Sequence, residues 1–146
     1  MPLMPLRKSP DSRPKVKAVV VNHDPGLAGQ QAEVLRAAGY EVELCGGPQH
    51  EPCPVIDTLP CPLVDRADVL VYDAWIAGSS DGGRQLIAVL RETYADLPVV
   101  LTSVDRRLAW VETEGPHRVT PLVGKPTPEE LLSAVEAALA DQGMAV

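Results

Sequence analysis

Short apolar runs and amphipathic stretches alternate along this chain. Val16-Lys17-Ala18-Val19-Val20-Val21-Asn22 is nearly continuous in β-branched, apolar residues, the character of a strand buried on both faces of a parallel sheet. Asp24-Pro25 follows. Asp is a favoured N-cap and Pro suits the first helical position, so a helix starts here. Leu27, Gln31, Val34, Leu35 and Ala38 fall at helical spacing, and Gly39 ends the run. Tyr40 to Leu44 reads as a second strand and Ala67 to Tyr72 as a third, ending at Asp73. Asp81 to Tyr94 reads as a helix with Leu86, Val89 and Leu90 on its inner face, and Pro98 to Thr102 as a fourth strand. A weak helical pattern runs from Arg106 to Glu112. Val119 to Val123 is a short fifth strand, and Pro121, which cannot donate to a ladder, puts it at a sheet edge. Thr127-Pro128-Glu129-Glu130 is a capping box with Pro at the first helical position. Leu131, Leu132, Val135, Ala138 and Leu139 then form the apolar stripe of a last helix.

Strands alternating with helices predict parallel βαβ units. Five strands suit an α/β, flavodoxin-like sheet in the order 2-1-3-4-5 with helices on both faces. Sites in such sheets lie beyond the carboxyl ends of the strands, where the strand order switches. The residues expected at that edge are Asn22, His23 and Asp24, then Asp73, then Thr102 and Ser103, then Lys125.

Composition narrows the picture. The 146 residues, 45% apolar and 23% charged, suit one globular domain over residues 16–142. Phe is absent, so the core is built from Val, Leu, Ile and Ala. The Pro-studded residues 1–15 read as a disordered tail without the apolar run of a secretion signal. A net charge of -7 argues against nucleic acid or an anionic membrane as partner. No apolar run approaches the roughly 20 residues that span a bilayer. A cytoplasmic, reducing location follows, in which the three cysteines are thiols or ligands rather than a disulfide framework.

The residues at the predicted edge resemble, in order and placement, the receiver domains of two-component response regulators, the CheY-like family. Asp73 in Val-Tyr-Asp-Ala-Trp stands at the phosphoacceptor position. Thr102 in Pro-Val-Val-Leu-Thr-Ser matches the hydroxyl residue after the fourth strand, and Lys125 in Leu-Val-Gly-Lys-Pro the Lys-Pro after the fifth. Asp81-Gly82 resembles the Asp-Gly opening the helix after the phosphoacceptor. The match runs from about residue 16 to 141. The resemblance implies phosphosignalling: Asp73 as phosphoacceptor from a phosphodonor, Lys125 and Thr102 contacting the phosphoryl group, and Mg²⁺ held by oxygen ligands. It also implies a protein partner, either a histidine kinase or a downstream signalling protein, or a homodimer. The departures are specific. The family's acidic pair maps onto Asn22 and His23, leaving Asp24 as the only carboxylate there, so Asn22 and Asp24 would make a weak Mg²⁺ site. Leu122 replaces the aromatic residue of the family's switch. The expectation is a degenerate receiver that acts by docking. Bland roles stand beside these: Asp24 as helix cap, Asp73 as turn residue, Thr102 bonded to backbone, and Lys125 and His23 as surface side chains.

Residues 45–66 hold five prolines and two glycines, which forbids the long second helix a receiver has. Pro52-Cys53-Pro54-Val55-Ile56-Asp57 recurs eight residues on as Pro60-Cys61-Pro62-Leu63-Val64-Asp65. Cys45, His50, Cys53 and Cys61 are enough donors for a zinc site, and the thiolates would also suit an iron–sulfur cluster. The other readings are a reversible disulfide, or thiols packed as small hydrophobes. The alternative function is therefore a thiol- or metal-dependent sensor. A small enzyme ranks last, since no glycine-rich phosphate loop or nucleophile elbow is present. Trp75, close after Asp73, reads as buried or as part of an interface.

Overall fold

A computed structural model of the chain describes residues 15–45, 61–74, 80–103 and 119–141. The expected tail before residue 15, most of the Pro-rich segment with His50 and Cys53, Trp75, and the stretch from Arg106 to Glu112 lie outside the described residues.

The chain forms β1 (Lys17–Val21), α1 (Pro25–Ala37), β2 (Glu41–Cys45), α2 (Pro62–Asp65), β3 (Val69–Asp73), α3 (Ser80–Thr93), β4 (Val99–Ser103), β5 (Thr120–Val123) and α4 (Pro128–Asp141). The strands make one parallel sheet in the order β2-β1-β3-β4-β5, as expected for a flavodoxin-like fold. Every residue of β3 and β4 is buried, which explains their unbroken apolar runs. β5 is an edge strand. Pro121 sits there opposite Leu101, where a missing donor costs little.

Alternate residues of each strand feed two cores. Val19, Val21, Leu70, Tyr72, Val99 and Leu101 pack with Val64 of α2 and Ile87 and Leu90 of α3. Ala18, Val20, Val69, Val71 and Val100 pack on the other face with Ala28 and Leu35 of α1 and Leu131, Val135 and Leu139 of α4. The aliphatic core follows directly from a sequence without Phe.

Both long caps form as read. Asp24 Oδ1 accepts from the Gly26 and Leu27 backbone N–H groups at 2.9 and 3.2 Å. Thr127 Oγ1 accepts from the Glu130 N–H at 3.1 Å, and Glu130 Oε1 accepts from the Thr127 N–H at 2.9 Å. The buried face of α1 is rotated from the expected stripe. Ala28, Gln31, Ala32 and Leu35 are buried, whereas Leu27 and Val34 are half-buried and Ala38 is exposed. Small residues at 28 and 32 let α1 lie close on the sheet and against α4.

The segment between β2 and β3 differs from a pure loop at both ends. Cys45 is the last residue of β2, paired with Val21, and Pro62–Asp65 makes a single helical turn. Proline is compatible with that turn because it occupies the first position, where no intrahelical donor is needed. The Tyr94 hydroxyl anchors the turn. It accepts from the Cys61 N–H at 2.8 Å and donates to Asp65 Oδ1 at 2.7 Å.

Candidate functional site

All five strands point the same way, so their last residues share one edge. Asp73 closes β3 in register with Thr102 of β4, and Val21 lies beside Tyr72. Asn22 and His23 therefore leave β1 next to Asp73. Backbone bonds tie this edge together. The Asn22 N–H donates to the Cys45 carbonyl at 3.1 Å, the Ala74 N–H to Thr102 at 2.9 Å, and the Gly124 N–H to Ser103 at 2.9 Å. Gly124 has φ +90°, a conformation that favours glycine, and its turn carries the chain into Lys125 at the same edge.

Asp73 is 3% exposed. A carboxylate removed from water has to be hydrogen-bonded or paired. Its Oδ2 meets Nδ1 of the His23 imidazole, and the His23 backbone N–H lies 3.4 Å from the same oxygen. The His23 side chain is 46% exposed, so one side of the ring covers the carboxylate while the other meets solvent. With Asp73 ionised, Nδ1 is the donor, which leaves Nε2 as the outward nitrogen.

The neighbouring candidates are engaged locally. Asn22 is buried, and its Oδ1 accepts from the Asp24 N–H at 2.9 Å. Asp24 spends Oδ1 on the start of α1. Thr102 is buried and its hydroxyl donates to the Tyr72 carbonyl at 3.3 Å. Lys125 is exposed and makes no ion pair among the described residues. It lines a cavity between α1 and the start of α4. Asp73, Thr102 and Lys125 thus share an edge, and the side chain seen against the Asp73 carboxylate is the His23 imidazole. The sequence placed His23 at this edge as a surface side chain. Its approach to Asp73 depends on the β1–α1 turn, which no spacing encodes.

Mg²⁺ takes hard oxygen donors and is usually held through one or two carboxylates. The residues present fit it poorly: Asn22 Oδ1 and Asp24 Oδ1 accept backbone N–H groups, and Asp73 Oδ2 meets the His23 ring. Among the described residues no three His, Cys, Asp or Glu side chains gather to hold a metal.

Cys45 and Cys61 pack, half-buried, against the α3-side core. Cys45 ends β2 at the carboxyl edge, whereas Cys61 is bonded to Tyr94, at the far end of α3. The described residues therefore do not assemble the Cys45, His50, Cys53, Cys61 set, and zinc has no support in them. Nor is any described helix long and apolar enough to cross a membrane.

Comparison with known structures bears on the architecture. The N-terminal domain of a response regulator/sensory box/GGDEF three-domain protein from Carboxydothermus hydrogenoformans superposes with a TM-score of 0.64 at 24% identity, over 87% of this chain and 96% of that one. The fold is that of a response-regulator receiver domain. A CheY-like receiver domain protein from Methanospirillum hungatei gives 0.67 at 13% identity, over 89% of this chain and 98% of that one. A receiver domain protein from Bacillus halodurans gives 0.63 at 15% identity, over 86% and 97%. No protein-family model matches the sequence, and no curated protein matches it. At these identities the receiver fold is what is shared.

Proposed function

We propose that the chain is a receiver-like signalling module that works by docking to a protein, with His23 in place of the phosphorylation chemistry at Asp73. The partner would be a histidine kinase, a downstream signalling protein or a second copy of the chain. The observation that carries this reading is the imidazole of His23 on the buried Asp73 carboxylate. A nucleophilic carboxylate needs an open approach for phosphorus and a cation to offset the charge of the incoming oxygens. Here the approach is covered by a ring, and Asn22 Oδ1 and one oxygen of Asp24 are committed to backbone donors. Asp73 is then a poor phosphoacceptor, and the edge is held in one arrangement.

Incubation with acetyl phosphate and Mg²⁺, followed by intact-mass measurement, tests this. The wild-type chain should gain no phosphoryl group. The Asn22→Asp/His23→Asp double variant, which supplies an acidic pair, should gain one that is lost on adding Asp73→Asn. A phosphoryl group on wild-type Asp73 would overturn the reading.

A further inference from the structure

At the opposite end of the sheet from Asp73, where the strands begin, the α2 turn faces the α3–β4 corner across a groove of about 380 Å³. Tyr94, Leu97 and Pro98 give it an apolar floor, and Asp65, Asp68 and Asp96 add three carboxylates. None of the three forms an ion pair among the described residues. Asp65 accepts from the neutral Tyr94 hydroxyl and Asp68 from a backbone N–H, while Asp96 is exposed. The β2 carboxylates differ: Glu41 and Glu43 are already met by Lys17, and Glu43 also by Arg66.

The chain enters β1 against one wall of this groove. The Lys17 N–H donates to Asp68 Oδ2 at 2.9 Å, and the Asp68 N–H donates to the Lys17 carbonyl at 2.8 Å. The sequence ahead of β1 is complementary to the groove in two ways. Arg7, Lys8, Arg13 and Lys15 stand against a single carboxylate, Asp11, in a chain whose net charge is -7, and Pro10 and Pro14 lie among them. A segment of this composition has no core of its own and gains order only on another surface.

We propose that residues 7–15 dock in this groove as an intramolecular strap, with their prolines on the floor beside Tyr94 and their cations toward Asp68 and Asp96. Proline-rich segments suit aromatic-lined grooves because their extended conformation is set in advance. The reach is sufficient. Arg13 precedes Lys17 by four residues, about 12 Å of polyproline chain, and the two strand spacings from β1 through β3 to β4 are roughly 10 Å. Because the strap is tethered, it meets the groove at an effective concentration on the order of millimolar, so individually weak pairs hold it. Docking there leaves the Asp73 edge uncovered, and a partner bound at that edge meets no competition from the strap.

Amide chemical shifts of the ¹⁵N-labelled full chain test this at low salt, with wild type set against Arg7→Gln/Lys8→Gln/Arg13→Gln. The amides of Asp68, Ala95 and Asp96 should move, and the His23 amide should stay in place. Raising wild type to about 1 M salt, where the screening length falls to about 3 Å, should move the same groove amides. Trypsin gives a second readout. Cleavage after Lys8 should be about threefold faster in Asp96→Asn, the loss of one exposed ion pair, and the exposure of Asp96 makes this substitution harmless to the fold. Groove amides indifferent to the tail charges, shifts at Glu41 and Glu43 in place of the groove, or an unchanged cleavage rate in Asp96→Asn would each overturn the proposal.

Discussion

Removing the His23 side chain takes an imidazole donor from Asp73 while the carboxylate stays buried at 3% exposure. Hydrogen bonds to charged groups contribute about 1.5–3 kcal/mol. The imidazole is 46% exposed, so water and salt screen the pair and the lower end applies, about 1.5 kcal/mol. His23→Ala should therefore lower stability by about 1.5 kcal/mol, or roughly 5 °C in Tm for a domain of this size. In an Asp73→Ala background the same substitution should cost about nothing, because the carboxylate that needed the ring is gone. A double-mutant cycle by urea denaturation isolates the pair: the coupling should be about 1–1.5 kcal/mol. Equal losses in both backgrounds, within roughly 0.3–0.5 kcal/mol, would show that His23 does not hold Asp73, and the account of the edge would fail.

Other consequences are as direct. Thr127→Ala breaks the capping box of α4 and should cost about 1 kcal/mol in chemical denaturation. Leu35→Ala opens a fully buried position between α1 and the sheet and should cost about 2–5 kcal/mol by the same assay. The Tyr94 phenol is pushed above its ordinary value by burial and then by its hydrogen bond to Asp65. The unfolded tyrosine thus ionises first, so the stability this group contributes is complete below pH 10 and is lost as pH rises through the native value. Tyr94→Phe should cost about 1 kcal/mol at neutral pH and flatten the alkaline fall in Tm. Gly124→Ala meets no atom in space, but at φ +90° it should cost about 1–2 kcal/mol from backbone strain alone.

The architecture was legible because each element carries its own signal. Continuous Val and Leu runs marked strands buried on both faces, and Asp24-Pro25 and Thr127-Pro128 marked helix starts with side-chain caps. What spacing could not decide was which of two adjacent stripes faces inward. Leu27 and Val34 looked like core, but Ala28 and Ala32 take that face, and the displaced side chains line the cavity instead. Cys45 looked like loop because β2 is an edge strand of mixed polarity, and only pairing with Val21 reveals its place. The positions at the site were readable from topology, since parallel strands end together. The contacts were not, because the β1–α1 turn decides which side chain reaches Asp73.

The tautomer and bonding of His23 test that contact most directly. In a ¹⁵N-labelled sample at mildly alkaline pH, long-range imidazole correlations should show His23 protonated on Nδ1, with Nε2 bare. Asp73→Asn should shift the Nδ1 resonance and release that preference. A His23 ring protonated on Nε2, or one indifferent to Asp73→Asn, would contradict the account.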